Sequence, residues 1–405
     1  MTKETLVNST STMMNLSRFE LRLLHFFDQF CVPLFSFGVN MTAEHMWRNC
    51  VPPLFAKSPL VRKAMFSFAS MNMWPLCDVS TLFLADVQDA RELYQIAPSW
   101  SEYGVESTMP VDLFDSSMAL ASTDNLYKRT LNYFSDSISE SQKALSLGIN
   151  TVVNDPDRAA ELGIAGVLIY SFLGLHPHRL VPILSFQLEE ETEMSDEDDP
   201  STDFVAICRG VQSTFELGID AIIQTEFRTI YNTVEKVPSF IREHKFPIIV
   251  RLHKEMDDFY ADYKDVVDPR IDAEIEALRE SIDILATAFY YSSKLNYPVP
   301  LFKWAIFIPE FLDVLLREKH FFALRLYYHF ACICVVSRFS LYHDRNMWKD
   351  FMEWWKNYNM KLYGGWYYDY DRSFYELIMD KNYKFSFESF KFLYEFDPEL
   401  LVNIL

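Results

Sequence analysis

The sequence predicts an all-α protein that forms one large multi-helix domain. Glycine is scarce, at 10 of 405 residues, so tight turns and glycine-rich phosphate loops are few. Apolar residues recur every three or four positions, and no segment shows the sustained alternation of a strand. Apolar residues make up 50% of the chain and aromatic residues 16%, which is enough to build a well-buried core.

The first helix is predicted to begin at Ser17, after a polar segment, residues 1–16, that we expect to be disordered. Ser17 and Glu20 have the spacing of a capping box, in which each side chain bonds the other residue's backbone N–H. Apolar residues recur at helical spacing from the residue before Ser17 onward: Leu16, Phe19, Leu23, Phe26, Phe27 and Phe30. We expect Val32-Pro33 to end this helix.

A second helix is predicted from Ser58-Pro59, an N-cap followed by proline at the first helical position, to Trp74-Pro75. Its apolar residues cover most of its circumference, so it should be buried on nearly all sides. Further helices are predicted over 126–148, 158–175 after a cap at Asp155, 204–223, 227–234, 249–263, 310–316, 321–336 and 347–355. The domain is expected to span 17–405, with mobile loops at about 98–125 and at the acidic stretch 188–202.

The most regular helix is predicted to start at Asp268, a cap, with Pro269 at its first position. Its apolar stripe keeps a heptad-like spacing through Ile271, Ile275, Leu278, Ile282, Leu285 and Phe289. The favoured interpretation is a helix packed inside a bundle. The alternative is an exposed dimerisation seam, which would make the chain a dimerisation scaffold.

Charge and cysteine usage exclude several classes of protein. The net charge of −20 and the absence of a basic stripe argue against direct binding of nucleic acid. The six cysteines include no C-x₂-C unit, so no zinc site of ordinary spacing is predicted, and Cys332 and Cys334 are interpreted as buried thiols. No apolar run reaches the length of a membrane span and no signal peptide is recognised, so a cytosolic or nuclear protein is expected.

One acidic run is a candidate for catalysis. The aspartates Asp257, Asp258 and Asp262, in an aromatic-rich helical chain, suggest the magnesium-diphosphate motif of an all-helical terpenoid-type lyase. Helical geometry places them about 90–130° from the apolar stripe, so they should face solvent. The pair His176 and His178, separated by proline, is interpreted as a turn. We therefore predict neither an enzyme nor a metal or other cofactor, with the lyase kept as an alternative.

Two places are candidates for a ligand. Arg325 and His329 lie one turn apart on an apolar helix, so each needs a polar partner in the chain or anchors a polar group of a ligand. Gly364-Gly365-Trp366 is the second candidate, because paired glycines allow close approach of the backbone beside a large apolar ring. The alternative for these three residues is an ordinary turn between helices.

Several sequence blocks follow one another in a recognisable order. They are LLHFF at 23–27, MW at 46–47, VPPLF at 51–55, SPLVRKAMFSFAS at 58–70, the segment 127–145, LVPILSF at 180–186, DFVAICRGV at 203–211, FKW at 302–304, PEF at 309–311 and ALRLYYHF at 323–330. In this order they resemble the regulatory domain of fungal zinc-cluster transcription factors, in particular the yeast sterol-regulator branch.

The zinc cluster of that family, with its C-x₂-C-x₆-C spacing, is absent from this sequence. The resemblance implies a nuclear, α-helical effector domain that regulates transcription through co-regulator proteins or the transcription machinery. It also implies a sterol-like or other lipid ligand, and a homodimer or a heterodimer with a family member.

Overall fold

The computed structural model describes residues 16–36, 40–73, 126–146, 155–175, 181–189, 203–223, 225–230, 246–263, 266–295, 299–336 and 347–379. Every regular element within these ranges is helical, so the predicted all-α class is confirmed. The predicted disordered segment up to residue 15, the loop at 98–125, most of the acidic loop and the pair His176 and His178 lie outside the described residues.

The described residues belong to two compact units, the first formed by 1–175 and 213–232 and the second by 176–212 and 233–405. The first seven helices belong to the first unit: α1 (Arg18–Phe26), α2 (Val32–Ser36), α3 (Met41–His45), α4 (Val51–Lys57), α5 (Pro59–Met73), α6 (Leu126–Ser146) and α7 (Pro156–Leu175).

Helix α1 begins as the sequence predicts. The Ser17 side chain accepts from the Glu20 backbone N–H at 3.1 Å, and Glu20 accepts in return from the Ser17 N–H at 2.8 Å. The predicted end at Val32-Pro33 is wrong. A π-helical turn, Phe27–Cys31, joins α1 to α2 without a break, so Pro33 lies inside a continuous helical segment. The Asp28 carbonyl, five residues before Pro33, accepts from Arg48 at 3.1 Å.

Helix α5 is the centre of the first unit and packs against α1, α6 and α7. Ser58 caps it as predicted, accepting from the Val61 N–H at 3.3 Å. Thr130 on α6 donates to Ser70 on α5 at 2.9 Å, and both side chains are fully buried. The predicted burial of α5 on nearly all sides is confirmed by its apolar residues, which are at most 3% exposed: Leu60, Val61, Ala64, Met65, Phe66, Phe68, Ala69 and Met71.

The remaining helices follow in chain order: α8 (Phe186–Glu189), α9 (Phe204–Ile222), α10 (Pro247–Phe259), α11 (Pro269–Leu295), α12 (Val299–Phe302), α13 (Trp304–Phe307), α14 (Glu310–Arg317), α15 (Phe321–Val336), α16 (Met347–Tyr363) and α17 (Asp369–Met379). Helix α9 contributes residues to both units; the others belong to the second unit.

Two predicted helices differ from the structure. The segment predicted as a buried helix over 227–234 is a short 3₁₀ turn, Glu226–Ile230, in its described part. Helix α10 ends at Phe259, and a 3₁₀ turn, Ala261–Tyr263, follows. Tyr263, predicted on the buried stripe, is therefore rotated out and is 48% exposed.

Helix α15 is the central helix of the second unit, as its apolar character all round predicts. Every residue from Phe321 to Val335 is buried, and α11, α12, α14, α16 and α17 pack around it. Cys332 and Cys334 are buried free thiols, as predicted, and burial raises the pKa of both. Among the described helices, none combines the length and apolar character needed to cross a bilayer.

Most of the apolar stripe on α11 is buried within the second unit. Leu278, Ile282 and Leu285 are fully buried, and Phe289 is 1% exposed. Ile271 and Ile275 are half-buried. The alternative of an exposed seam is therefore wrong for these four residues, because side chains that are buried in their own fold are not accessible to a second copy. Dimerisation by another surface stays a prediction.

Candidate functional site

The polar groups of Arg325 and His329 lie inside the second unit. Both residues are fully buried on α15. An unpaired charge in such a place would be strongly destabilising, so each side chain needs a polar partner.

Asp371, on α17, provides that partner for both residues. Its carboxylate accepts from Arg325 at Nε (2.8 Å) and at Nη2 (2.9 Å), a two-pronged geometry typical of strong guanidinium-carboxylate pairs. The Nε2 atom of His329 lies 3.1 Å from the same carboxylate. Asp371 is itself 1% exposed. One carboxylate therefore joins two basic side chains in a region without water access.

Two further residues complete what we call the ion cluster, which consists of Arg325, His329, Asp371, Glu255 and Tyr368. Glu255, on α10, lies 2.6 Å from Nη2 of Arg325. The Arg325 guanidinium carbon lies 3.6 Å from the centre of the Tyr368 ring, a close cation-π contact. The ion cluster thus links α10, α15 and α17, together with the turn before α17.

The electrostatics of the ion cluster favour its charged form. Burial by itself would raise the pKa of Asp371, but the charges and hydrogen bonds of Arg325 and His329 outweigh that effect and hold the pKa well below its usual range. Burial alone would likewise lower the pKa of Arg325, and the two carboxylates raise it instead. The guanidinium-carboxylate pair therefore stays ionised at any ordinary pH.

Arg325 thus has polar partners within the chain, and the Nε2 atom of His329 lies beside the same carboxylate. Neither residue is among those that line the cavity between α16 and α17. Their partners Asp371 and Glu255 were missed by sequence reasoning. Asp371 lies in the first turn of α17, where an acidic residue is common on any helix, and Glu255 lies among other charged residues of α10. No local signal separates these two acids from solvated ones.

A cavity of about 470 Å³ lies between the end of α16 and α17. Its lining comprises Lys356, Met360, Gly364, Gly365, Trp366, Asp369, Arg372, Tyr375 and Glu376. All three residues of the predicted Gly-Gly-Trp site are thus part of one concave surface, which we call the α16–α17 cavity. Its volume falls in the range of about 300–1,000 Å³ that small-molecule sites occupy. That it takes a ligand stays a prediction.

The turn at Gly364 opens this cavity. Gly364 has φ +69°, the left-handed conformation in which glycine commonly ends a helix, and its N–H donates to the Met360 carbonyl at 3.0 Å. The chain can then turn into α17. The Trp366 ring packs 5.4 Å from the Tyr375 ring and 6.1 Å from Tyr328 of α15. Tyr328 donates to the Asp371 backbone carbonyl at 2.7 Å, so it contacts both Trp366 of the cavity and a residue of the ion cluster.

The charged residues of the α16–α17 cavity are unequally neutralised. Lys356 lies 3.0 Å from Glu353 and 5.0 Å from the centre of the Tyr375 ring. Arg372 lies 3.3 Å from Glu376. Within the described part of the chain the carboxylate of Asp369 has no counter-ion. The lining therefore combines two aromatic rings with four charged side chains, two basic and two acidic.

The acidic run considered for a lyase faces solvent, as its helical position predicts. Asp257, Asp258 and Asp262 are all exposed, and Asp257 lies 3.3 Å from Arg279. Among the described residues, no group of three or more histidine, cysteine or acidic side chains is arranged to hold a metal ion.

No family model, curated protein sequence or solved structure matched this chain in our comparisons.

Proposed function

We propose that this chain is a transcriptional regulatory domain that acts through protein partners in the nucleus and carries no catalytic or DNA-reading part in the sequence given. The proposal rests on the ordered sequence blocks that resemble the fungal regulatory domain. A sterol-like or other hydrophobic ligand is the second half of the proposal, with the α16–α17 cavity as its site.

In the structure, the buried charges of the ion cluster bind to one another and hold three helices together. Arg325 and His329 thus serve the fold of the proposed regulatory domain. The lyase alternative lacks structural support, because its three aspartates are exposed and one of them, Asp257, is paired with Arg279.

The test is a tethering assay. The 405-residue chain, fused to an unrelated DNA-binding domain, should change the output of a reporter gene several-fold relative to that domain alone. Asp371→Asn, expected to destabilise the second unit, should abolish the effect, and Asp258→Asn, a charge change on the exposed face of α10, should preserve it. A fusion that is present in the nucleus at normal level but leaves the reporter unchanged would contradict the proposal.

Ligand extraction tests the second half. The chain purified from its native host would be extracted with organic solvent and analysed for lipids by mass spectrometry. A sterol-like molecule retained by the wild-type chain and lost in Gly365→Leu, which fills the α16–α17 cavity, is the expected result. Equal lipid in both proteins would mean that the cavity is not the ligand site.

A further inference from the structure

A continuous row of aromatic rings crosses the second unit. The ring centre of Phe321, at the start of α15, lies 5.5 Å from that of Tyr363 and 5.1 Å from that of Tyr367. Phe321 also stacks on Phe259 of α10, at 6.1 Å between ring centres. From Phe259 the row continues through Tyr260 to the 3₁₀ turn, over separations of 5.1 Å and 6.2 Å. We call this row the aromatic strip; it consists of Phe259, Tyr260, Tyr263, Phe321, Tyr363 and Tyr367.

Both ends of the aromatic strip are open to solvent. Tyr263 is 48% exposed at one end, and Tyr363 and Tyr367 are 47% and 50% exposed at the other. Val266 and Val267, which follow Tyr263 in the chain, are 48% and 95% exposed. Exposed apolar side chains joined in one row are typical of a surface that meets another protein, and tyrosine is enriched at such surfaces.

The chain around Tyr263 is acidic. Residues 261–274 include five acidic side chains and two basic ones, a net charge of −3. One of the two bases, Arg270, is already paired with Glu274 at 3.2 Å. Asp262 and Asp272 are exposed, and neither has a counter-ion in the described part of the chain. The Tyr263 end of the aromatic strip therefore has a negative border.

The other charges beside the aromatic strip do not reverse this sign. Glu318 and Lys319, just before Phe321 in the chain, carry opposite charges. Lys361 and Asp369, on either side of Tyr363 and Tyr367 in the sequence, likewise cancel. The net charge along the strip is therefore the negative charge of its Tyr263 end.

This charge selects among the possible occupants of the surface. A second copy related by a two-fold axis would bring the same acidic border to itself, and like charges placed opposite each other are unfavourable. Nucleic acid and anionic lipid would be repelled for the same reason. A protein segment that carries lysine or arginine beside an apolar anchor satisfies both the exposed rings and the acids.

We infer that the aromatic strip docks a basic amphipathic segment of a partner protein. The apolar side chains of the segment pack on Tyr363, Tyr367 and Val267, and its basic side chains lie near Asp262 and Asp272. This inference rests on the proposed function and deepens it, because it names the surface and the chemistry by which the regulatory domain meets a protein partner. The surface is separate from the α16–α17 cavity, since no residue of the aromatic strip lines that cavity.

The test compares three labelled helical peptides of equal length. The first carries leucine and tryptophan on one face and lysine on the other, the second replaces lysine by glutamate, and the third replaces leucine and tryptophan by serine. Fluorescence anisotropy would measure their binding to the purified 405-residue chain. We expect the first peptide to bind at least about tenfold more tightly than either other one, and more weakly as salt is added. Equal binding of the acidic peptide, or no binding of the first at about 100 μM, would overturn the inference.

Substitutions at each end of the aromatic strip locate the binding. The double variant Tyr363→Ser/Tyr367→Ser removes two exposed rings, and Asp262→Asn/Asp272→Asn removes two exposed charges without changing the shape of the surface. Each should weaken binding of the first peptide by about fivefold or more. Circular dichroism checks that both variants are folded. Affinities equal to that of the wild type in both would show that the peptide binds elsewhere.

The matched control is Asp157→Asn/Asp220→Asn, which removes two exposed acids from the first unit. Asp157, like Asp272, lies in the first turn of a helix. This variant should bind the first peptide like the wild type. An equal loss in the control and in Asp262→Asn/Asp272→Asn would mean that only the overall charge attracts the peptide, and the inference would be wrong.

Two further results separate this inference from its alternatives. Dimers in light scattering that are lost in Tyr363→Ser/Tyr367→Ser would assign the aromatic strip to a second copy instead. The peptide measurements need no transcription readout, so absent peptide binding with an active reporter fusion would refute the docking surface alone. Peptide binding with a silent reporter would count against the regulatory proposal.

Discussion

At the scale of single residues, Asp371 has the largest effect on stability that we expect from one polar side chain. Asp371→Asn leaves Arg325 buried without a full counter-charge, and breaking a buried pair in this way typically costs about 3–5 kcal/mol. Urea unfolding followed by circular dichroism measures the loss. The control Asp258→Asn, at an exposed position, should change the free energy of unfolding by less than about 0.5 kcal/mol. Similar small losses in both variants would show that the ion cluster contributes little.

Neighbouring glycines at the α16–α17 turn should respond differently to the same substitution. Gly364→Ala forces a side chain into a left-handed conformation at φ +69° and should destabilise the protein by about 1–2 kcal/mol. Gly365→Ala meets open space without that φ restriction, and should be neutral or stabilising by up to about 1 kcal/mol. Thermal unfolding of the two variants in parallel measures the difference. A loss for Gly365→Ala as large as that for Gly364→Ala would contradict this account of the turn.

At the scale of elements, substitutions in α11 can distinguish a helix packed inside the fold from an exposed dimerisation seam. Ile282→Asp places a charge at a fully buried position, which should destabilise the protein by more than about 3 kcal/mol. Ile271→Asp, at a half-buried position near the start of the helix, should cost less than half as much. Urea unfolding and light scattering would be measured for both. A folded Ile282→Asp variant that changes only from dimer to monomer would restore the seam interpretation.

The elements also show which sequence signals are reliable. The caps at Ser17, Ser58, Asp155 and Asp268 all accept backbone hydrogen bonds in the structure, because a cap depends on residues only two or three positions away. The predicted helix end at Pro33 was wrong because a π-helical turn shifts the hydrogen-bond register before the proline, and periodicity does not report such a turn.

At the scale of the whole molecule, the ion cluster makes stability depend on acid pH. The pKa of Asp371 is lower in the folded protein than in the unfolded chain, where it is about 3.9. The unfolded state therefore binds the proton first, so the stabilisation from Asp371 is fully present above about pH 5 and is lost as the pH falls through about 4 and below.

The measurement is the free energy of unfolding between pH 3 and 7. The wild type should lose more stability over this range than Asp371→Asn, which lacks the titrating group. Parallel curves for the two proteins would mean that Asp371 does not have the lowered pKa that the ion cluster implies.

The sequence by itself determined the helical class, the caps, the burial of α5 and α15, and the solvent-facing position of the acidic run, because each depends on the spacing of neighbouring residues along the chain. It also indicated that Arg325 and His329 needed partners. Only the tertiary structure decided that Asp371, 46 residues beyond Arg325, is the partner of Arg325, and that the Gly-Gly-Trp segment lines a cavity between α16 and α17. The reason is physical: the spacing of side chains along a helix is set locally, whereas which acids meet which bases depends on how helices distant in the chain pack together.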